Sequence, residues 1–313
     1  MNVPLLDLIA QYQSIREEVL PALLRVIDRQ QFILGEEVTA LERAVADLSR
    51  TRHGIGCASG TDALLLPLRT LDLHPGDEVI TPAFTFFATA GTVHNTGGTP
   101  VFVDIDPETF NLAPAAVEAA ITPRTRAIIA VHLFGQMADL GPILALAARH
   151  GLTVLEDAAQ SIGARRRIDG AWRMAGELGT VGTLSFYPTK NLGGWGDGGM
   201  ILTQDDGLAA RLRRLRTHGG AKQYFHDEVG FNSRLDTLQA AVLLAKLPHL
   251  DAWSAARRAR AERYTEAFAG HPAVRAPAVD PANEHIFNQY TIRVPRRDEL
   301  QARLKANGIG NSI

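Results

Sequence analysis

The sequence predicts an α/β fold, with a mainly parallel sheet packed between helices. Two observations carry that expectation. Between residues 55 and 203, short apolar runs alternate with helical segments of about 10–15 residues, the pattern of repeated strand–helix–strand units. Several of these runs are apolar on both faces, as strands are when helices cover each side of a sheet. The composition agrees: 313 residues, 46% hydrophobic and 21% charged, is ordinary for a globular chain of about two domains.

Taken in order, residues 20–49 read as helical, with a break near Gly35. Within EEVTALERAVADLS, Val38, Leu41, Val45 and Leu48 share one face at helical spacing. Strands are expected at 55–58 (IGCA), 77–81 (DEVIT), 100–105 (PVFVDI), 127–134 (AIIAVHLF), 152–157 (LTVLED), 183–187 (TLSFY) and 198–203 (GGMILT). Helices fall between or after them at 63–71, 88–95, 114–121, 140–150 and 208–218. Residues 217–236 are polar, glycine-containing and aperiodic, and read as a long loop. A helix rich in alanine and arginine is expected from Thr237 to Phe268, interrupted at Pro248. FNQYTIRVP (287–295) reads as a strand and RDELQARLKANGIG (297–310) as a helix of a second, smaller domain.

Charge and cysteine usage narrow the function classes. Lys plus Arg is 32 against 34 for Asp plus Glu, a net charge of −2, which gives no electrostatic footprint for nucleic acid or an anionic membrane. The single cysteine, Cys57, excludes a disulfide within the chain and fits a reducing compartment; its apolar setting, HGIGCA, reads as a buried small hydrophobe. The N-terminal residues lack the basic and apolar regions of a signal peptide, and no run approaches the ~18 apolar residues of a membrane span. The expectation is a cytoplasmic protein.

The chemistry centres on SFYPTKNLGGWGDGGMI, residues 185–201. Lys190 lies in a turn-rich segment after an apolar strand and before a glycine cluster. A lysine becomes a nucleophile toward carbonyls when desolvation or nearby cations lower its pKa. The glycines let backbone approach a ligand closely, and Ser185 is placed to hydrogen-bond a phosphate. Alone, a loop lysine is most often a solvated one; the other motifs decide.

In VLEDAAQSIGA (154–164), Asp157 ends an apolar strand, at the sheet edge where open α/β folds bind ligands. Pyridoxal 5′-phosphate (PLP) chemistry needs such a carboxylate beside the ring nitrogen, because the protonated ring is the electron sink. An ordinary helix N-cap is the alternative for Asp157. Gln160 is placed to reach the cofactor's phenolic oxygen, whereas Glu156 points to the other side of the strand and takes no role.

In CASGTDALLL (57–66), Ser59, Gly60 and Thr61 stand where a strand gives way to a helix, whose exposed N–H groups and dipole attract phosphate. In TPAFTFFATA (81–90), an aromatic can lie flat on a pyridine ring; Phe86 is chosen over Phe84 and Phe87. In GFNSRLDTLQAA (230–241), Asn232 and Arg234 sit in the long loop, where a guanidinium can grip an anionic substrate.

Together these segments resemble the DegT/StrS-type sugar aminotransferases of the fold-type I PLP class. The likeness runs in order through FILGEEVTALE, GTDAL, GDEVITPAFTF, PVFVDIDPETFNL, VHLFGQMADL, EDAAQSIGA, SFYPTKNLGGWGDGG and FNSRLDTLQAA, nearly the whole chain. The resemblance implies a fold-type I large domain over 1–245, with the N-terminal helices, and a small α+β domain over 246–313. The family usually continues past GIGNSI, so the small domain is expected to be incomplete.

It also implies roles. Lys190 would hold PLP covalently and shuttle the proton, Asp157 would pair with the ring nitrogen, and Gln160 would lie near the phenolic oxygen. Gly60, Thr61 and Ser185 would cup the phosphate and Phe86 would stack on the ring. Asn232 would reach the phosphate of a neighbouring subunit in a homodimer, and Arg234 would face the substrate. Lysine rather than histidine at position 190 favours transamination over the family's dehydratase branch. The implied reaction moves an amino group from glutamate to a keto group of a nucleotide-linked sugar, with 3-keto favoured over 4-keto. A non-catalytic, regulatory PLP-fold protein is the alternative. A dinucleotide-binding dehydrogenase is opposed because SGTDAL does not supply the G-x-G-x-x-G turn.

Overall fold

A computed structural model describes residues 2–222 and 224–313. The first helix, α1 (Leu8–Arg29), begins well before the expected Leu20. The Asp7 side chain caps it by accepting from the Ala10 N–H at 2.8 Å, and Ile15 and Val19 are buried against Val242 of a distant helix. That contact partner is remote in sequence, so the packing that holds the first turns was not visible locally, although the Asp7 cap was. Helix α2 (Glu36–Leu48) follows, with the expected Val38, Leu41 and Val45 buried.

The alternation then runs as β1 (His53–Cys57), α3 (Gly60–Arg69), β2 (Glu78–Pro82), α4 (Phe87–Asn95), β3 (Thr99–Val103), α5 (Pro114–Ala120), β4 (Thr125–Val131), α6 (Leu140–His150) and β5 (Thr153–Asp157). A short antiparallel hairpin intervenes, β6 (Arg165–Ile168) and β7 (Ala171–Met174), before β8 (Val181–Ser185), β9 (Gly199–Thr203) and α7 (Asp206–Leu215).

The main sheet has seven strands in the order β1-β9-β8-β5-β4-β2-β3. The ladders β5–β8, β4–β5, β2–β4 and β2–β3 are parallel, while β9 is antiparallel to both β8 and β1. Six strands therefore run one way and only β9 is reversed, the mainly parallel mixed sheet that the resemblance implies.

Alternate residues of one strand enter different cores, the consequence of the two-residue side-chain period. Ile128 and Ala130 of β4 join the apolar faces of α2 and α6 on one side. Ala127 and Ile129 join those of α3 and α7 on the other. This burial explains the continuous apolar runs in the sequence.

Residues 217–236 contain no helix or ladder strand among those described; isolated bridges Thr217–Asn232 and Lys222–Phe225 tie the excursion together, and Gln223 lies outside the described residues. The alanine- and arginine-rich segment forms α8 (Thr237–Lys246) and α9 (Leu250–Phe268), separated by a 3₁₀ turn at Leu247–His249 that contains Pro248. Strand β10 (Asn283–Glu284) pairs with β6, completing a three-stranded sheet with β7. The chain ends with α10 (Arg297–Ala306), as expected.

The expected strand at 287–295 does not form. It has a single bridge, Arg275–Arg293, and alternation of side chains without a ladder partner does not make a strand.

Candidate active site

The parallel strands all deliver their carboxyl ends to one edge, so residues remote in sequence meet there. Asp157 is the last residue of β5 and only 5% exposed. Its carboxylate accepts from the Thr89 hydroxyl at 2.9 Å and from the Ala159 N–H at 3.2 Å. Burial pushes this carboxyl above the usual carboxylate range, against those hydrogen bonds and the charge of Lys190.

Lys190 lies in the turn after β8, its N–H bonded to the Tyr187 carbonyl at 2.9 Å. Burial pulls its amine below the usual lysine value, against the attraction of Asp157. The two groups thus act on each other across the site, and a lowered lysine pKa is what a carbonyl-directed nucleophile requires.

Gly60 and Ser185 meet directly. A Cβ on Gly60 would fall 2.6 Å from Ser185 Cβ and 2.8 Å from its Oγ, so only glycine lets the first turn of α3 close on the end of β8. Gly199 repeats the device, since a Cβ there would lie 2.2 Å from the Ser59 carbonyl oxygen. Ser59 caps α3 by accepting from the Asp62 N–H, and Thr61 is exposed in the first turn. The result is a backbone cradle at a helix N-terminus, where exposed N–H groups and the helix dipole favour an anion.

Of the three candidate phenylalanines, Phe84 packs in a cluster with Phe110 and Phe134, at 5.9 and 6.2 Å between ring centres. Phe87 lies back along its own helix over Gly91. Phe86, at the N-cap of α4, is 75% exposed. Gln160 commits its Oε1 to the Phe134 N–H at 2.7 Å. What it offers a ligand is therefore its amide N–H₂, a donor.

Asn232 and Arg234 lie on the loop that leads into α8. They line an open cleft of about 450 Å³ with Ala58, Gly196, Asp197, Asp236 and Gln239. Ser233, between them, donates to Asp62 of α3 at 2.7 Å, which fixes the loop beside the cradle.

The structure adds residues that the sequence did not single out. Thr89 orients Asp157. Glu156 points away from Asp157 as expected, yet it is fully buried and accepts from His132 Nε2 at 2.7 Å and from the Gly176 and Leu178 N–H groups at 2.9 and 2.7 Å. The Ala138 N–H donates to His132 Nδ1, which assigns the ring proton to Nε2. Although burial pushes the Glu156 carboxyl up, the bonds from His132, Gly179 and Gly176 hold it below the usual range. Lys246, 1% exposed, donates to the Gly193 carbonyl, and burial pulls its amine down to about 8.

This wall fits PLP: a buried carboxylate for a protonated ring nitrogen, a desolvated amine opposite, and a glycine-walled cradle for the phosphate. Bound there, PLP supplies the electron sink that lets an amine and a carbonyl exchange nitrogen. The fold and site define a PLP-dependent aminotransferase.

The profile of the DegT/DnrJ/EryC1/StrS aminotransferase family matches residues 13–313, and the chain belongs to that family. The chain is 54% identical to a pleiotropic regulatory protein of Geobacillus stearothermophilus, covering 100% of this chain and 84% of that one. It is 48% identical to UDP-N-acetyl-3-dehydro-alpha-D-glucosamine 3-aminotransferase of Acidithiobacillus ferrooxidans, covering 99% and 83%. Among solved structures, S. venezuelae DesV in complex with a ketimine intermediate superposes with a TM-score of 0.95 at 46% identity, covering 98% of this chain and 82% of that one.

Proposed function

We propose that this aminotransferase moves the amino group of glutamate to the keto group of a nucleotide-linked sugar, with C3 favoured over C4 as the acceptor carbon. Glutamate leaves as its 2-oxo acid and the keto sugar becomes an amino sugar, so the amine, its hydrogen and the carbonyl oxygen balance between the two substrates. The observation that carries the reading is the placement of Lys190 in the turn after β8 and of buried Asp157 at the end of β5, its neighbouring parallel strand. The C3 preference rests on the Acidithiobacillus relative, whose name places its reaction there.

In this reading Lys190 Nζ takes the proton from the donor's Cα and later delivers one to the sugar carbon that gains nitrogen. Asp157, held by Thr89, keeps the ring nitrogen protonated. Gln160 donates to the phenolic oxygen, Gly60, Thr61 and Ser185 hold the phosphate, and Phe86 covers the ring. Asn232 serves the phosphate site of a neighbouring subunit in a homodimer, and Arg234 faces the substrate. The open cleft that both residues line supports this.

A division into a large domain (1–245) and a small one (246–313) is supported by the seven-stranded sheet lying wholly before residue 245. Among the described residues no helix is long and apolar enough to cross a membrane, which is consistent with a cytoplasmic enzyme. The regulatory alternative shares its name with the Geobacillus relative, but the lysine and aspartate kept in place oppose it.

The test is incubation of the PLP-loaded protein with glutamate and, separately, a 3-keto and a 4-keto nucleotide sugar. Formation of the 3-amino sugar together with 2-oxoglutarate is expected. Amination of neither sugar, or of the 4-keto one alone, would overturn the substrate assignment.

A further inference from the structure

The segment Ile286–Gln289, most of which the sequence presents as the start of a strand, is instead a strap laid across two shoulders of the active site. On one side the Ile286 N–H donates to the Gly135 carbonyl at 3.0 Å and the Gln289 N–H to the Phe134 carbonyl at 3.3 Å. The fit is close, since a Cβ on Gly135 would lie 2.9 Å from the Asn288 nitrogen. Phe134 has a positive φ of 60°, a conformation that a non-glycine residue keeps only where surrounding contacts enforce it, and Gly135 follows at 106°. Phe134 is the residue whose N–H holds Gln160.

On the other side the Asn288 amide donates to Asn191 Oδ1 at 2.7 Å. Asn191, 4% exposed, returns its own amide to the Ile286 carbonyl at 3.4 Å. Arg257 of α9 holds the strap from behind, donating to the carbonyls of Phe287 and Asn288 at 3.1 and 3.2 Å. Asn191 follows Lys190 directly in the chain, so the strap connects the shoulder carrying Gln160 to the shoulder carrying the lysine.

We infer that Asn288 is a positioning residue of the transamination reaction, one that fixes Lys190 against the Asp157–Gln160 wall through its bond to Asn191. This rests on the assignment of Lys190 as the reacting lysine. The pair, Asn191 buried and Asn288 half-buried, spends its amide hydrogen bonds on itself and on the strap. Its effect is a rigid distance between two groups whose spacing sets the rate, where a misplacement of about 1 Å costs up to about 100-fold.

The experiment compares the PLP-loaded wild type with Asn288→Ala, Asn191→Ala and the double variant. The first readout is the pH midpoint of the cofactor's visible band with no substrate present. The second is the rate at which glutamate changes that band, separated into its saturating value and its half-saturation concentration. Each single variant is expected to move the midpoint by about half a unit or more and to lower the saturating rate about 10- to 100-fold. Half-saturation should stay within about two-fold, and the double variant should be no worse than either single one, as for groups acting as a unit.

An unchanged midpoint and rate with a lower melting temperature would mean that the pair is merely structural and would overturn the inference. Multiplying losses in the double variant would overturn it too. If Asn288→Ala does not fold, Asn191→Ala reads the same bond from its other end. Borohydride mapping of the wild type keeps the underlying assignment separate: a label away from Lys190 removes that reading, whereas a label on Lys190 with unmoved variants removes only the positioning role.

Discussion

Lys246 shows what a single buried group does to this molecule. Its ammonium has one carbonyl partner, Gly193, and burial lowers its pKa to about 8, against 10.5 for a free lysine. Between those values the unfolded chain holds a proton that the folded chain has released, so stability must rise with pH across the window. The Lys246→Met variant lacks this titration. Relative to it, the wild type should gain up to about 3 kcal/mol between pH 7 and pH 10.5. Chemical unfolding of both proteins at the two pH values measures the difference; parallel behaviour would show that Lys246 titrates normally.

At this scale the sequence revealed the residues that sit in motifs and hid those defined by distant partners. Lys190, Asp157, Gly60 and Ser185 stand beside glycine turns or strand ends, where local chemistry marks them. Thr89 bonds Asp157 across 68 residues and Lys246 reaches Gly193 across 53, and neither spacing leaves a local pattern. Asn288, the second residue of the run FNQYTIRVP, looked like part of a strand.

At the scale of elements, the contact of α3 with β8 makes the phosphate cradle. Replacing Gly60 with alanine puts a methyl 2.6 Å from Ser185 Cβ, and such overpacking typically costs about 1–3 kcal/mol. The expected outcome is PLP binding weakened about ten-fold or more, with pyridoxal, which lacks the phosphate, affected much less. Titrations followed by cofactor absorbance measure both, and equal losses for the two ligands would remove the cradle from phosphate binding.

The main-sheet strands and most helices were legible because burial on both faces writes apolar runs into the sequence. The β6–β7 hairpin escaped notice because RRRIDGAWRM is polar. Its signal was nevertheless present: Asp169 and Gly170 both have positive φ, 50° and 78°, the Asp-Gly turn that suits a two-residue hairpin. The absent strand at 287–295 shows the reverse failure, a correct alternation without a partner to pair with.

The whole molecule presents an N-terminal helix with Ile9 71% and Leu24 56% exposed, and a loop that sets Asn232 and Arg234 on an open cleft. Both features support a homodimer with shared sites. Mixing inactive Lys190→Ala subunits with inactive Asn232→Ala subunits should then restore about a quarter of the wild-type activity, because half of the dimers formed carry one intact site of two. No recovery after subunit exchange, shown by sedimentation of the mixed species, would place each site within one chain.

The central claim concerns one lysine, and one measurement addresses it most directly. The purified protein is loaded with PLP, its visible absorbance is recorded before and after glutamate, and the borohydride-reduced peptide is mapped. The account predicts a yellow protein that bleaches with glutamate and a label on Lys190. A colourless protein, or a label on any other residue, would contradict it.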